Sequence, residues 1–264
     1  MSDTGDLDSD RRLLRRAVAA AGALALEHFR AGPEHWQKAP GQVVTAADLA
    51  VDRLLHDVLI GARPDDGWLS EERADDGSRH RRRRVWMVDP IDGTRAFVAG
   101  EPEFTISVAL VIEGVPLLGA VFNPATDETF EACRDGGAQL NGAPLRISER
   151  RELAGARLLS SRTEMQRRDW PTLLPDALFT PMSSLAYKLA LVAAGRFDGL
   201  VSLRASHDWD LAAAALLIGE AGGRLSGADG RPLALNQATP RHEGLAAAGT
   251  TALHRALVAR LRAA

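Results

Sequence analysis

WMVDPIDGTRAF, residues 86–97, reads as a buried strand that turns into a helix. The apolar run 85–88 has the character of a strand covered on both faces. Pro90 and Gly93 then end it, because neither suits a strand interior. At the turn stand two carboxylates, Asp89 and Asp92, three positions apart. Gly93 and Thr94 follow, and their amide N–H groups can open a helix. Carboxylate oxygens are hard ligands for Mg2+, Pro90 stiffens the turn, and Gly93 lets an anion approach the backbone. The set suits a phosphate bridged to protein through metal ions. DPxDG is also ordinary turn chemistry, so the stretch decides nothing without further acidic groups elsewhere.

Two such groups exist. SEE at 70–72 and DWD at 208–210 both stand where an apolar run becomes polar. The chain that carries them has 264 residues, 45% of them hydrophobic, enough for one large domain or two tightly joined ones with a substantial core. Its one cysteine, Cys133, excludes an intrachain disulfide and a cysteine-rich metal site, so a bound metal is expected on oxygen. In its strand context Cys133 reads as a packed side chain. A formal charge of −3 gives no bulk attraction to nucleic acid or membrane. No apolar run reaches the roughly 18 residues a membrane span needs, and the acidic start MSDTGDLDSD lacks the features of a signal peptide, so a cytoplasmic location is expected.

Helical spacing of Leu13, Leu14, Val18, Ala21, Leu24 and Ala25 predicts an amphipathic helix over 11–30, closed by Gly32-Pro33. A loop with Lys38, Pro40 and Gly41 leads to a second helix, with Leu54, Leu55, Val58 and Leu59 on one face. Thr45 and Asp48 have capping-box spacing at its start, which by itself accounts for both residues. A short strand at 68–69 delivers Glu71 and Glu72. RHRRRR at 79–84 is the one strong basic patch and reads as a solvated, mobile loop, with polyanion docking as the alternative. Strands follow at 105–112 and 115–122, joined as a hairpin by Glu113-Gly114, and at 128–133. The pattern then becomes α/β: strands at 157–161 and 199–203, helices at 184–194 and 210–221, a strand at 245–248 and a helix at 250–264. The second of these helices is unusually rich in small residues and ends at Gly222-Gly223. The expected boundary divides an N-terminal half, 1–148, from a C-terminal half, 149–264.

Four stretches in this order, VTAAD at 44–48, LSEE at 69–72, the opening motif and DWDLAAAALLIGEAGG at 208–223, resemble the inositol monophosphatase superfamily of Mg2+-dependent, lithium-sensitive phosphatases. The resemblance implies an α/β fold of alternating helix and sheet layers, αβαβα. It also implies metal ligation by Glu71, Asp89, Asp92, Asp210 and the Ile91 carbonyl, with two or three Mg2+ ions and inhibition by Li+. Glu71, Asp89 and the Ile91 carbonyl would share one ion, and Asp89, Asp92 and Asp210 a second. A third, weaker ion would use Glu71 and solvent. By the same resemblance Asp48 and Thr94 orient the attacking water, with Glu71 also counted as catalytic, and Glu72 lies behind the ligands.

The partner expected is a small phosphorylated nucleotide or polyol, with the Gly93 and Thr94 amides on its phosphate; homodimers are common among such proteins. The segment 103–125 and Lys188 look more like bacterial 3′(2′),5′-bisphosphate nucleotidases, whose second phosphate a lysine could meet. Val43, Asp208 and His207 lean toward inositol monophosphatases instead. Ser184, Lys188, Arg204 and His207 are the candidate substrate contacts, although a histidine beside a site often has no such role. The nucleotidase is placed first and inositol-1-monophosphatase second. A regulatory protein associated with RNA processing or transcription is the reading from another class, with the basic run as its direct support.

Overall fold

Leu13, Leu14, Val18 and Ala21 lie on one buried face of α1 (Thr4–Ala31), as their spacing predicts. The computed structural model describes residues 4–39 and 42–263. Pro40 and Gly41 of the expected loop, and Ala264 of the expected last helix, lie outside the described residues. The segment read as a loop in fact pairs with its neighbour, as β1 (His35–Ala39) and β2 (Gln42–Thr45), antiparallel with His35 opposite Thr45. Next comes α2 (Ala46–Ala62), begun by the Thr45–Asp48 capping box.

A mixed sheet follows. Its strands are β3 (Gly67–Ser70) and β4 (Arg84–Asp92), then, after the short helix α3 (Thr94–Val98), β5 (Thr105–Ile112), β6 (Val115–Asn123), β7 (Glu128–Cys133), β8 (Gly137–Leu140) and β9 (Ala143–Pro144). They lie side by side in chain order, antiparallel throughout except for the parallel pair β3–β4. Glu113 and Gly114 both take positive φ, 51° and 79°, in the tight turn expected between β5 and β6.

A second sheet, ordered β11-β10-β12-β14-β13, takes shape from β10 (Arg157–Ser160), α4 (Arg162–Arg167), α5 (Trp170–Leu173), β11 (Leu178–Pro181), α6 (Leu185–Ala193), β12 (Gly199–His207), α7 (Asp208–Glu220), β13 (Arg224–Gly227), β14 (Arg241–Ala248) and α8 (Thr251–Arg262). Short polar elements such as α4, α5 and β11 carry too little periodicity to be read in advance.

Side-chain alternation turns these sheets into layers. Trp86 and Val88 of β4, with Ile106, Val108 and Leu110 of β5, face α1 and α2. Val85, Met87, Ala109 and Val111 face the other way, onto α6 and α7. Leu200, Leu245 and Ala247 of the second sheet close on those helices from beyond, while Val201, Ala246 and Ala248 face α5 and α8. The order of layers is αβαβα. Residues 145–156 join the two sheets, and one apolar core, with α6 and α7 inside it, is built from both.

The small residues of α7 have a steric cause. A Cβ at Gly119 of β6 would stand 3.0 Å from the Cα and carbonyl oxygen of Ala213, so helix and strand meet backbone to backbone.

Two expectations need correction. β4 does not stop at Val88 but runs to Asp92. Pro90 is tolerated because β3 ends opposite Val88, and because the register with β5 shifts between Asp89 and Asp92. Nor is RHRRRR a solvated loop throughout. Arg79 is fully buried in a 3-10 turn, Ser78–Arg81, where its guanidinium donates to Asp75 and to the Gln237 carbonyl at 2.8 Å and bonds the Asn236 side chain. Arg84 pairs with Asp10 and Asp66. Distant amide and carbonyl acceptors draw Arg79 inward and two acidic partners draw Arg84, while His80, Arg81, Arg82 and Arg83 remain exposed.

Gly119→Val should lower stability by about 1–3 kcal/mol, the usual cost of overpacking, because the close approach to α7 has no room for methyl groups. Urea denaturation would show the loss as a lower midpoint with an unchanged slope.

Candidate active site

A regular strand sends residues three apart to opposite faces, so Asp89 and Asp92 would part company on an ideal β4. The bulge prevents this. Asp89 pairs with Ser107 and Asp92 with Thr105, which sets Pro90 and Ile91 against the single residue Ile106. The extra residue turns both carboxylates to one side, and a carboxylate oxygen from each comes within 4.8 Å of the other and of one from Asp210.

Asp210 arrives from the first turn of α7. Its Oδ2 accepts from the His207 N–H at 2.7 Å, and the Trp209 carbonyl accepts from Ser107 Oγ at 3.1 Å, which ties the helix start to β5. The helix begins two residues earlier than expected, at Asp208. Asp208 itself is fully buried away from the cluster, where it accepts from Asn236 N at 2.6 Å and pairs with His242 at 2.7 Å. Asp92 Oδ2 accepts from Ser184 Oγ at 2.7 Å and Ala186 N at 2.5 Å.

Glu71 follows β3 and opens onto the same cleft. Lys38 of β1 donates to the Glu71 carbonyl at 2.9 Å and to Glu72 at 3.0 Å, which leaves Glu72 turned from the cluster. Asp48 is buried at the start of α2. Its Oδ2 accepts from the N–H and hydroxyl of Thr45, at 2.7 and 2.5 Å, and its Oδ1 accepts from Thr94 Oγ1 at 3.4 Å. Thr94 Oγ1 also lies 3.1 Å from the Ile91 carbonyl. Gly93 takes φ 99°, and a Cβ there would stand 2.7 Å from the Glu103 carbonyl, so the turn admits only glycine.

Asp89, Asp92 and Asp210 stand together, with Asp48 and the exposed Glu71 close enough to add to the repulsion, and all five hold protons tightly. Burial, then repulsion from Asp210, Glu72, Asp48 and Asp92, pushes Glu71 up to about 8. Burial and Asp92 push Asp210 up to about 7, and burial raises Asp48 to about 6. Asp89 is raised well above the ordinary range by burial and by Glu71, and burial raises Asp92. A set made wholly of oxygen, with its charges opposed at this range, fits hard divalent cations, whose charge removes the repulsion.

The cluster lies at one end of a cleft of about 460 Å3. Lys188, Arg204 and His207 line this cleft with Glu71, Asp92, Gly93, Thr94 and Asp210. Lys188 is buried, its ammonium donates to the Met182 carbonyl at 3.2 Å, and burial lowers it to about 8 despite Asp92 nearby. His207 stacks on Trp209, centroids 4.5 Å apart, and burial lowers its pKa. Ser184 lines the wall too, but its hydroxyl is committed to Asp92 and Thr105. The sequence gives no sign of the far rim, where Arg162 bridges Glu101 at 2.5 Å and Glu103 at 3.1 Å. These partners are about sixty residues apart, and no local pattern joins them.

A layered α/β protein with a carboxylate cluster suited to hard cations, opening onto a cleft, is the class that fold and site define. The Inositol monophosphatase family model matches residues 6–264. An inositol-1-monophosphatase of Rhizobium meliloti is 41% identical over 205 residues, 73% of this chain and 75% of its relative; one of Mesorhizobium japonicum is 36% identical over 232 residues, covering 84% and 83%. Among solved structures, the extragenic suppressor protein suhB of Bartonella henselae superposes with a TM-score of 0.84 at 27% identity, covering 96% of this chain and 98% of its own. The chain belongs to the inositol monophosphatase family and is a metal-dependent phosphomonoesterase.

Stability without cations should run against pH. Carboxylates whose folded pKa lies above the unfolded value favour folding while protonated, and that contribution is lost as pH rises from about 4, the unfolded range, toward the value of about 8 at Glu71. The melting temperature in chelator should therefore fall between pH 5 and pH 8, and the rise produced by a divalent cation should be larger at pH 8. Thermal melts at both pH values, with and without chelator, check this.

Proposed function

We propose that the chain hydrolyses the phosphate monoester of a polyol of the inositol 1-phosphate class with Mg2+ as its cofactor. The observation that carries this is the cluster of carboxylate oxygens opening onto the cleft. Glu71, Asp89, Asp92, Asp210 and the Ile91 carbonyl would hold the ions. Bound there, Mg2+ would neutralise phosphoryl oxygens, lower the pKa of the attacking water and stabilise the departing alkoxide. The amides of Gly93 and Thr94, without intrahelical acceptors at the start of α3, would receive phosphate oxygens. Thr94 Oγ1, between Asp48 Oδ1 and the Ile91 carbonyl, aligns the water, and Asp48, at about 6, can take up a proton near neutral pH.

The order drawn from sequence, nucleotidase before inositol phosphatase, is reversed here. Glu101 and Glu103 are both taken up by Arg162, and Arg95, Lys188 and Arg204 line the same cleft, so no acidic wall excludes a second phosphate and the reversal rests on the relatives. Both the Rhizobium meliloti and the Mesorhizobium japonicum relatives are named inositol-1-monophosphatase. Lys188 and Arg204 support the nucleotidase as a second reading, since both line the cleft. A regulatory role keeps part of its support: Arg79 and Arg84 are turned inward, but His80, Arg81, Arg82 and Arg83 stay exposed, and relatives of Pasteurella multocida and Escherichia coli are named Nus factor SuhB.

Phosphate release from inositol 1-phosphate and from 3′-phosphoadenosine 5′-phosphate, each with Mg2+, with chelator and with added Li+, tests the proposal. Inositol 1-phosphate should be preferred, and Li+ should inhibit. A preference of about tenfold for the nucleotide, about 1.4 kcal/mol in transition-state binding, would transfer the proposal to the second reading. Asp89→Asn should cut turnover by orders of magnitude while circular dichroism shows the fold unchanged; near-normal turnover would remove Asp89 from the ligand set.

A further inference from the structure

Two buried aspartates stand one turn apart on α2. Asp48 belongs to the cleft. Asp52 has no place among the ligands, yet it is only 4% exposed, and a buried carboxylate is costly unless every oxygen is matched. Both its oxygens are matched by residues on either side of Glu71. Ser70 Oγ donates to Oδ1 at 2.5 Å, and Arg73 Nε donates to Oδ2 at 2.5 Å. The Ser70 hydroxyl also accepts from the N–H of Glu72 at 3.2 Å, so the bond from Asp52 passes straight into the backbone beyond Glu71. Arg73 stays in place by lying over Trp68, its guanidinium carbon 5.9 Å from the ring centroid. From the opposite side Lys38 grips the Glu71 carbonyl.

The strand alone does not explain this bracket. β3 ends at Ser70, and Glu71 itself keeps one long ladder bond, from its N–H to the Val88 carbonyl at 3.3 Å. A carboxylate that must meet Asp210 against mutual repulsion, on a segment just past the end of its strand, needs another anchor. We propose that Asp52 is a positioning residue that fixes Glu71 for cation binding by holding Ser70 and Arg73. This rests on Glu71 as a cation ligand. The same helix then places Asp48 directly and Glu71 through its neighbours.

Asp52 also bears a negative charge near the site, and a charge by itself would attract cations. Arg73 separates the two effects, because its loss acts with opposite sign. If Asp52 acts through space, Arg73→Gln removes a positive charge and tightens Mg2+ binding; if it acts by positioning, Arg73→Gln loosens the bracket and weakens binding.

The test is calorimetric titration of the full chain with Mg2+, beside the Mg2+ dependence of phosphate release. Asp52→Asn should weaken Mg2+ binding on the order of tenfold, as loss of a bond that orients a ligand commonly does. Arg73→Gln should weaken it less, since Ser70 remains bonded, and Asp52→Glu should recover part of the loss. Asp198→Asn is the control: this aspartate is similarly buried and bonds Ser148 Oγ and Arg157 N far from the cleft, so its loss should lower the melting temperature and leave Mg2+ binding unchanged. Unchanged binding in Asp52→Asn, tighter binding in Arg73→Gln, or equal weakening in Asp198→Asn each overturns the proposal. If Asp52→Asn fails to fold, Arg73→Gln decides, its side chain being 37% exposed. A wild-type chain that binds no Mg2+ overturns the cation site itself, a result distinct from any of these.

Discussion

Like charges forced together are the constraint around which this molecule is arranged. Glu71, Asp89, Asp92 and Asp210 come from three separate parts of the chain, and nothing in their own chemistry draws them toward one another. Their convergence must be imposed by elements that cannot easily move. Asp89 and Asp92 ride on a strand flanked by β3 and β5, and Asp210 on a helix enclosed between two sheets. Asp48, Asp89, Asp92 and Asp210 each have a backbone or hydroxyl donor behind them, such as His207 N for Asp210 and Ala186 N for Asp92. These donors set direction and leave the remaining oxygens free.

Packing and chemistry therefore share the same residues. The position of Asp210 depends on how closely α7 lies on β6, and that distance is set by the absence of a side chain at Gly119 and the shortness of the one at Ala213. The apolar core around α6 and α7 draws side chains from both sheets, so the two halves are held in one relation to each other. A helix rich in alanine buries less area per residue than one of leucines, and here the lost burial is offset by a fixed approach between backbone and backbone.

The sequence revealed what is local and missed what is distant. The strand over Val85 to Val88, the Thr45–Asp48 cap, the Glu113-Gly114 turn and the small-residue helix each have a cause within a few positions, and all were legible. The bulge at Pro90 and Ile91 was not, because it exists only relative to the register of β5. Arg79 read as solvated for the same reason: its partners Asn236 and Gln237 lie over 150 positions away, and a charge run shows nothing of what will meet it. The acidic groups of the cleft floor were found through motif resemblance, whereas Glu101, Glu103 and Arg162 on the rim belong to no motif and appear only when the chain is folded.

Floor and rim also differ in how they are built. The floor is carried by β4, the start of α7 and the bracketed end of β3, where any shift disturbs several neighbours at once. The rim residues Glu101, Glu103 and Arg204 are held mainly by side-chain ion pairs or stand open to solvent. Selection can thus exchange rim residues while the floor stays put, so that one hydrolytic engine can be inherited by descendants with different diets. The same division makes the rim the place to begin when redirecting the enzyme to a new ester.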